Sequence, residues 1–302
     1  MQTFKDIEVI IIDDCSNIDC SNILQTFKSI LNIKYIRSEK NRGCGESRNI
    51  GLQNSDSEYI MFCDSDDTFY SAFAIEELYL ETVKENSDLL IGNFYEECVS
   101  DKDSKRSLVL HEQDVTWLFA KIYKTSLIKD NNILFPMSSA NEDMAFNSLC
   151  IACAKELKMC DKVSYLWHSN PKSITRNKDG NFSFRGLKGF IENHIWAYNE
   201  KCKRNLENTE MALYQSVNAM IMMYAYYVNI TRNQNKEELS EYVEWVRKFF
   251  IDVWDRLPEC KYEIVCKTYF NVVNSNVSIF QLYIPNLTIY QFVQLFENKK
   301  GG

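Results

Sequence analysis

The 302-residue sequence lacks several features that would assign it quickly to a class of protein. It has no G-x-G-x-x-G run and no Walker loop, so neither nucleotide-binding fingerprint is present. It has no internal repeat and no low-complexity tract, which excludes solenoid and fibrous architectures. The net charge of −8 leaves no basic excess, and this argues against a general nucleic-acid-binding protein.

The 11 cysteines lack any regular spacing. An odd, scattered set is a poor disulfide framework for a chain of this length, so the cysteines indicate a reducing, cytoplasmic compartment. Cys150 and Cys153 form a C-x-x-C pair with no second pair nearby, which we interpret as two buried thiols.

Membrane-directing segments are also scarce in the sequence. We expect no signal peptide, because the first residues lead directly into a strand pattern. The longest apolar run, residues 211–230, is interrupted by polar side chains and is more typical of a buried or interfacial helix than of a membrane span. Peripheral membrane contact stays an open alternative.

Strand and helix patterns alternate through the first part of the chain. Strands are predicted at residues 8–12, 33–37, 59–63, 88–94 and 163–167. Helices are predicted at residues 20–31, 45–53, 72–85, 126–131 and 142–153. This order predicts an α/β fold with a mostly parallel sheet flanked by helices.

The pattern changes after a polar, glycine-containing segment at residues 177–181. Only helical patterns follow, at residues 184–203, 208–231 and 236–256. We therefore predict two domains, an α/β domain over residues 1–180 and a helical extension over residues 181–302.

The most informative motif is an apolar strand that ends in carboxylates. Residues 59–63 are followed by Asp64, Ser65, Asp66 and Asp67, at the strand end where open α/β sheets bind their ligands. Crowded carboxylates repel one another unless they share a cation. Oxygen ligands suit Mg²⁺ or Mn²⁺, which would in turn hold a diphosphate. A solvated acidic turn is the alternative.

Two segments nearer the N-terminus could contact a nucleotide. Asp13 and Asp14 end the first strand and could accept hydrogen bonds from a base or ribose, although an Asx turn or a helix cap would use the same residues. Gly43 and Gly45 open a helix whose N-terminal amides, with Arg48, could face an anion. The alternative is an ordinary helix start with a surface arginine.

Two later segments carry further candidate residues. Glu142 and Asp143 begin an amphipathic helix, where acids favour the helix dipole, but either could also act as a general base. His168 and Arg176 lie in a loop after the last predicted strand and could contact phosphate or metal. A histidine beside aromatic residues is equally typical of simple packing.

Taken together, these segments resemble glycosyltransferase family 2, the inverting enzymes with the Rossmann-like GT-A fold. The resemblance covers about the first 180 residues. It follows the chain in order through residues 2–8, 13–14, 43–51, 59–67, 120–128, 141–146 and 173–175. Glycosidases also use paired carboxylates, but strand-end acids in a series of βαβ units favour transfer.

The resemblance implies transfer of a sugar from a nucleotide-diphosphate donor, most often a UDP-sugar, to an acceptor hydroxyl. The acceptor would be a glycan or a lipid-linked molecule, in the synthesis of surface polysaccharide or glycoconjugate. Asp14 would contact the base, Asp64 and Asp66 would bind Mg²⁺ or Mn²⁺, and Asp143 would be the catalytic base beside Glu142. The remaining donor-binding candidates are Asp13, Arg48, Ser65, His168 and Arg176.

Two features differ from the family pattern. Family members begin with a strand and a tight loop that line the base pocket, whereas this sequence begins at the segment that follows them. We therefore expect an open sheet edge beside residues 8–12, filled by another segment or by a second copy in a homodimer. The alternative function is an impaired glycosyltransferase that acts as a binding or assembly module. Cys15 also stands where the family commonly has glycine.

Overall fold

The structure is a computed structural model that describes residues 2–18, 20–100, 104–137, 141–170 and 184–206, together with residues 243, 244, 254 and 263. The chain divides into two compact units, Met1–Gly189 and Phe190–Gly302. The division after residue 180 stays a prediction of the sequence. In the described part of the chain, no helix combines the length and the apolar character needed to cross a membrane.

The described elements alternate along the first unit much as the sequence predicts. In chain order they are β1 (Glu8–Asp13), α1 (Ser21–Phe27), β2 (Asn32–Arg37), α2 (Cys44–Gln53), β3 (Tyr59–Ile60), β4 (Thr68–Phe69), α3 (Ala74–Glu85), β5 (Leu89–Val99), β6 (Arg106–His111), β7 (Lys121–Lys124), α4 (Thr125–Asp130), α5 (Glu142–Cys153), β8 (Leu157–Trp167) and α6 (Phe184–Lys203). The sequence did not predict β4, β6 and β7. The helix predicted at 208–231 lies outside the described residues, and of the one predicted at 236–256 only residues 243, 244 and 254 are described.

The strands form two sheets, and their directions correct one prediction. β1 and β2 pair in parallel as a two-stranded sheet. The other six form a sheet in the order β3-β7-β5-β8-β4, with β6 also paired to β5. Within it the neighbours β5 and β8 form the one parallel pair among the described strands, and the other pairs are antiparallel. The α/β class is confirmed, but the sheet is mixed rather than mostly parallel, because β4, β6 and β7 each pair antiparallel with their neighbours. For β6, residues 100–105 between it and β5 are too few for a parallel crossover.

The six-stranded sheet is covered on both faces. Adjacent residues of a strand point to opposite faces, so Ile122 and Tyr123 of β7 contact the helices on opposite faces of the sheet. Ile122 belongs to a buried cluster with Leu78 of α3. On the other face, Tyr123 meets Phe146 of α5 edge to face, with ring centroids 5.7 Å apart. The sheet therefore lies between α3 and α5.

The two-stranded sheet is covered less completely. None of the residues of α1 is buried. Ile18, Ile23 and Ile30 around this helix are 70%, 58% and 56% exposed. Among the described residues, β1 pairs with β2 alone. The two sheets thus contain similar apolar residues but bury them to very different extents.

Candidate functional site

The acidic turn after β3 is held in place by the end of β8. The backbone N–H of Asp67 donates to the carbonyl oxygen of Asp64 over 3.1 Å, which closes the turn. The N–H of Asp64 donates to Tyr165 Oη over 3.0 Å, and that hydroxyl donates to Asp67 Oδ2 over 2.9 Å. His168 N–H donates to Asp67 Oδ1 over 2.8 Å. Burial raises the pKa of Asp67 to about 6.

The segment that follows β8 also reaches the turn with its side chains. Asn170 Nδ2 donates to Asp66 Oδ2 over 2.7 Å. His168 Nε2 lies 2.9 Å from Thr68 Oγ1, so this predicted residue does lie beside the acidic turn. Ser65 is exposed at the tip of the turn. Arg176, the remaining candidate from this loop, lies outside the described residues.

Arg48 of α2 joins the acidic turn to the start of α5. Its Nη2 lies 2.7 Å from Asp64 Oδ1, and its Nη1 lies 2.6 Å from Glu142 Oε1. Burial alone would lower the pKa of Arg48, but these two charges raise it above its ordinary value. The side chain is only 16% exposed, so the surface-arginine alternative is wrong. The anions that Arg48 contacts are two carboxylates of the same chain.

Close backbone packing at Gly45 sets the position of α2. A Cβ atom at this residue would lie 2.7 Å from the carbonyl oxygen of Pro136 and 3.3 Å from Glu142 Cγ. Asn49, one turn further on, exchanges two hydrogen bonds with the backbone of Phe135, at 3.0 and 2.8 Å. Since Arg48 lies between these two contacts on the helix, its guanidinium is brought to both acids.

The two acids that begin α5 have different surroundings. Glu142 is buried and paired with Arg48. Asp143 is half-buried, and its Oδ1 accepts the N–H of Met144 over 2.8 Å. Burial, with the neighbouring charge of Glu142, raises the pKa of Asp143 to about 7. A carboxyl with such a pKa can accept a proton near neutral pH, whereas Glu142 is committed to its ion pair.

Lys121, a buried lysine of β7, shares a hydrogen-bond acceptor with helix α5. Lys121 of β7 is 1% exposed, and its Nζ donates to the carbonyl oxygens of Asp114 and Trp117 over 2.5 Å each. Asn147 of α5 donates to the same Trp117 carbonyl over 2.7 Å. Burial lowers the pKa of Lys121 to about 8. Lys121 lies in the segment 120–128 that carries the family resemblance, but its role was not predicted, since its partners are carbonyl groups that carry no residue identity.

The two acids at the end of β1 are both engaged within the chain. Asp13 Oδ1 accepts Ser16 N–H over 2.7 Å, and Tyr35 Oη donates to Asp13 Oδ2 over 2.6 Å. Hydrogen bonds from Ser16 and Tyr35 lower the pKa of Asp13 to about 2. Asp14 accepts the N–H groups of Arg42 and Gly43 over 2.8 and 2.7 Å. The contact of Asp13 with Ser16 is of the turn type, whereas Asp14 contacts the segment before α2. The proposed nucleotide contacts of both residues stay predictions.

The backbone conformation of Cys15 explains why the family commonly has glycine at this position. Cys15 has a φ of 65°. This left-handed conformation is one that glycine adopts without steric cost. A glycine at this place in related sequences is therefore expected from the backbone alone.

The acidic turn has the chemistry to hold a divalent cation together with a ligand. In the described part of the chain, no three His, Cys, Asp or Glu side chains are grouped so as to enclose a metal. Mg²⁺ is usually bound through one or two carboxylates plus substrate phosphates rather than by a protein cage. Asp64 and Asp66 supply such carboxylates, so the residues fit an ion whose coordination a diphosphate would complete.

Comparison with protein families identifies the N-terminal part of the chain. Residues 1–140 match the model of glycosyl transferase family 2, which confirms the resemblance inferred from the sequence. The poly(ribitol-phosphate) β-N-acetylglucosaminyltransferase TarS of Staphylococcus aureus is 27% identical over 175 residues, 53% of this chain and 30% of TarS. TarP of the same species is 33% identical over 161 residues, 48% of each chain.

GlyA, a glycosyltransferase of Streptococcus pneumoniae, is 36% identical over 201 residues, 58% of this chain and 28% of GlyA. The matched segments thus span between about a quarter and a half of these relatives.

Solved structures confirm the fold. The crystal structure of S. aureus TarS residues 1–349 with UDP-GlcNAc has a TM-score of 0.65 and 20% identity, and covers 98% of this chain and 84% of that chain. The same TarS segment with UDP gives a TM-score of 0.60 at 22% identity, covering 98% and 83%. The predicted GT-A-type fold is therefore shared with TarS.

Proposed function

Since residues 1–140 carry the glycosyltransferase family 2 domain, we propose that this chain transfers a sugar from a nucleotide-diphosphate donor to an acceptor hydroxyl, with inversion. UDP-GlcNAc is the first donor to test, because one TarS structure contains it. The acceptor would be a glycan or a lipid-linked molecule of surface polysaccharide or glycoconjugate synthesis. Relatives named for poly(ribitol-phosphate) and for cholesterol leave its class broad.

One observation carries this proposal: Arg48 brings the acidic turn and the start of α5 together. Its two ion pairs, to Asp64 and Glu142, link segments that lie far apart in the sequence. Asp143, with its pKa raised to about 7, is the neighbour of Glu142. In this proposal the diphosphate site and the proton acceptor lie on either side of one guanidinium. Transfer of a sugar to a hydroxyl needs both.

The side chains take distinct roles in this proposal. Asp143 removes the proton of the acceptor hydroxyl as that oxygen attacks the anomeric carbon. Asp64 and Asp66 hold Mg²⁺ or Mn²⁺, which when bound neutralises charge on the leaving diphosphate. Glu142 fixes Arg48, and Arg48 fixes Asp64. Asp13, Asp14, Ser65, His168 and Arg176 remain proposed donor contacts.

The test is a donor screen that measures nucleotide release with and without Mn²⁺, combined with calorimetry of UDP binding. We expect UDP affinity to fall on the order of a hundredfold when a chelator is added, and to a similar extent in Asp66→Ala. Asp56→Ala is the matched control, since this carboxylate precedes β3 and is 98% exposed. Equal UDP binding with and without metal would contradict the proposed metal site.

The alternative is a binding or assembly module without turnover. It is favoured by the state of Asp13 and Asp14, whose carboxylates are already hydrogen-bonded within the chain. Such a module would bind UDP but release no nucleotide with any acceptor. A cytoplasmic location, peripheral membrane contact and a homodimer stay predictions of the sequence.

A further inference from the structure

Tyr165 occupies an unusual position for a buried tyrosine, because its hydroxyl spans the acidic turn. The residue is 1% exposed, and its ring stacks on Phe119 with centroids 4.6 Å apart and planes 10° from parallel. Phe69 contacts the same ring edge to face, at 6.2 Å. The hydroxyl position is thus fixed by the core, independently of the turn.

That hydroxyl makes two hydrogen bonds of opposite sense. It accepts the N–H of Asp64 and donates to Asp67 Oδ2. These residues flank Ser65 and Asp66, so one oxygen atom sets the width of the turn. Because each bond uses a different function of the hydroxyl, both can form together and each favours the other.

Asp67 differs from the two acids before it in what its oxygens contact. Oδ2 accepts the Tyr165 hydroxyl and Oδ1 accepts the N–H of His168, so β8 and the residue that follows it supply a donor to each oxygen. Asp66, by contrast, is exposed at the tip of the turn. The third acid of the run therefore faces the protein, whereas the second faces solvent.

From these contacts we infer that Tyr165 and Asp67 are positioning residues, which hold Asp64 and Asp66 in the arrangement that receives the donor diphosphate. This inference rests on the proposed function, because it concerns the same site. It assigns Asp67 a role through Tyr165 and not as a direct ligand. The bond between them then matters more than either group alone.

A double-mutant cycle on UDP binding tests the inference. Calorimetry with Mn²⁺ would compare the unchanged chain, Tyr165→Phe, Asp67→Asn and the double variant. Phenylalanine keeps the ring stack and removes both hydrogen bonds, and asparagine keeps the shape but leaves the tyrosine proton without its carboxylate. We expect each single change to weaken UDP binding by about tenfold, since the bond involves a charged group. The double variant should lose little more than either single one.

Thr82→Val is the matched control for loss of a buried hydrogen bond. Thr82 is 0% exposed in α3, and its Oγ1 donates to the Leu78 carbonyl over 2.8 Å. We expect it to lower the melting temperature about as much as Tyr165→Phe does, while UDP affinity is unchanged. A donor KM that rises in Tyr165→Phe with a smaller change in kcat would support a positioning role.

Three results would overturn the inference. UDP binding of Tyr165→Phe equal to that of the unchanged chain would show that the hydroxyl does not position the turn. A double variant whose loss is the product of the single losses would show that Asp67 acts independently. If Tyr165→Phe fails to fold, unchanged binding by Asp67→Asn would be decisive. Absent binding by the unchanged chain would instead contradict the proposed function itself.

Discussion

The two-stranded and six-stranded sheets place aspartates in opposite electrostatic surroundings. Beside the thinly covered β1–β2 sheet, hydrogen bonds from Ser16 and Tyr35 lower the pKa of Asp13 to about 2. Around the well-covered sheet, burial raises the pKa of Asp67 to about 6 and that of Asp143 to about 7. Donors that contact the charged form favour ionisation, whereas loss of water favours the neutral acid. The same residue type is thus a fixed anion in one region and a proton acceptor in the other.

Packing follows the same division. Phe146 of α5 is 0% exposed, and its ring stacks on Phe135 with centroids 3.9 Å apart. Phe27 of α1 is 43% exposed. Asp143, the proposed proton acceptor, therefore belongs to the region with a dense core, which can hold it away from water.

Matched truncations would give the largest contrast between the two regions. We expect Phe146→Ala to lower the free energy of unfolding by about 3–5 kcal/mol, because it leaves a cavity in a dense core. Phe27→Ala should change it by no more than about 0.5 kcal/mol. Urea unfolding followed by circular dichroism measures both. If both variants lost a similar free energy of unfolding, α1 and the β1–β2 sheet would be packed by contacts that the described residues do not include.

Replacement of Asp143, the proposed proton acceptor, tests whether the raised pKa in the well-packed region serves turnover. Asp143→Asn keeps the side-chain shape but cannot take up a proton, so turnover should fall by about a hundredfold or more while UDP affinity changes little. Nucleotide release and calorimetry on the same preparation separate the two effects. If turnover survives, Asp143 only begins the helix, and Glu142→Gln becomes the next variant to measure.

The pH dependence of turnover should follow the titration of Asp143, at the start of the well-packed helix α5. The charged form of Asp143 is the proposed base, and the pKa of this residue is raised to about 7, so activity should fall as pH drops below about 7. The fall should approach about tenfold per pH unit, with one proton controlling the rate. Initial rates between about pH 5 and 8 measure it. A flat profile would assign the base to a group with an ordinary carboxyl pKa.

A small loss of stability is expected when one hydrogen bond to Asp13, at the end of β1, is removed. The pKa of Asp13 in the folded chain, about 2, is below the ordinary aspartate value of 3.8. Its contribution to stability is therefore present above about pH 4 and is lost as pH falls toward about 2. Tyr35→Phe removes one of its donors and should cost on the order of 1 kcal/mol at neutral pH. Acid unfolding of the unchanged chain and of Tyr35→Phe measures this. The variant should begin to lose stability at a higher pH than the unchanged chain.

Sequence patterns were sufficient where one local rule decides the structure. An apolar run ending in acids located β1 and the acidic turn, and first-turn acids located the start of α5 at Glu142. β3 lies inside the strand predicted at 59–63 but spans only Tyr59–Ile60. β4 spans only two residues, too few for any periodicity to appear. The missed strand β6 ends a hairpin and not a βαβ unit, so the alternation rule did not apply to it.

The candidate site divides in the same way. Asp64, Asp66 and Asp143 were proposed because acids at strand ends and helix starts are visible in the sequence, and Arg48 because two glycines open its helix. The partners of Arg48 and the role of Tyr165 were not, since the Tyr165 hydroxyl meets the N–H of Asp64 from 101 positions away. Contacts of this kind depend on the finished fold.

The absent side chain at Gly45 limits which sequences can keep this site. Any other residue there would place a carbon 2.7 Å from the Pro136 carbonyl, a backbone atom that cannot rotate aside. The helix would have to move outward and carry Arg48 away from both acids. A library that randomises residues 44–48 should therefore return UDP-binding members with glycine at position 45, although that residue itself contacts no ligand in the proposal.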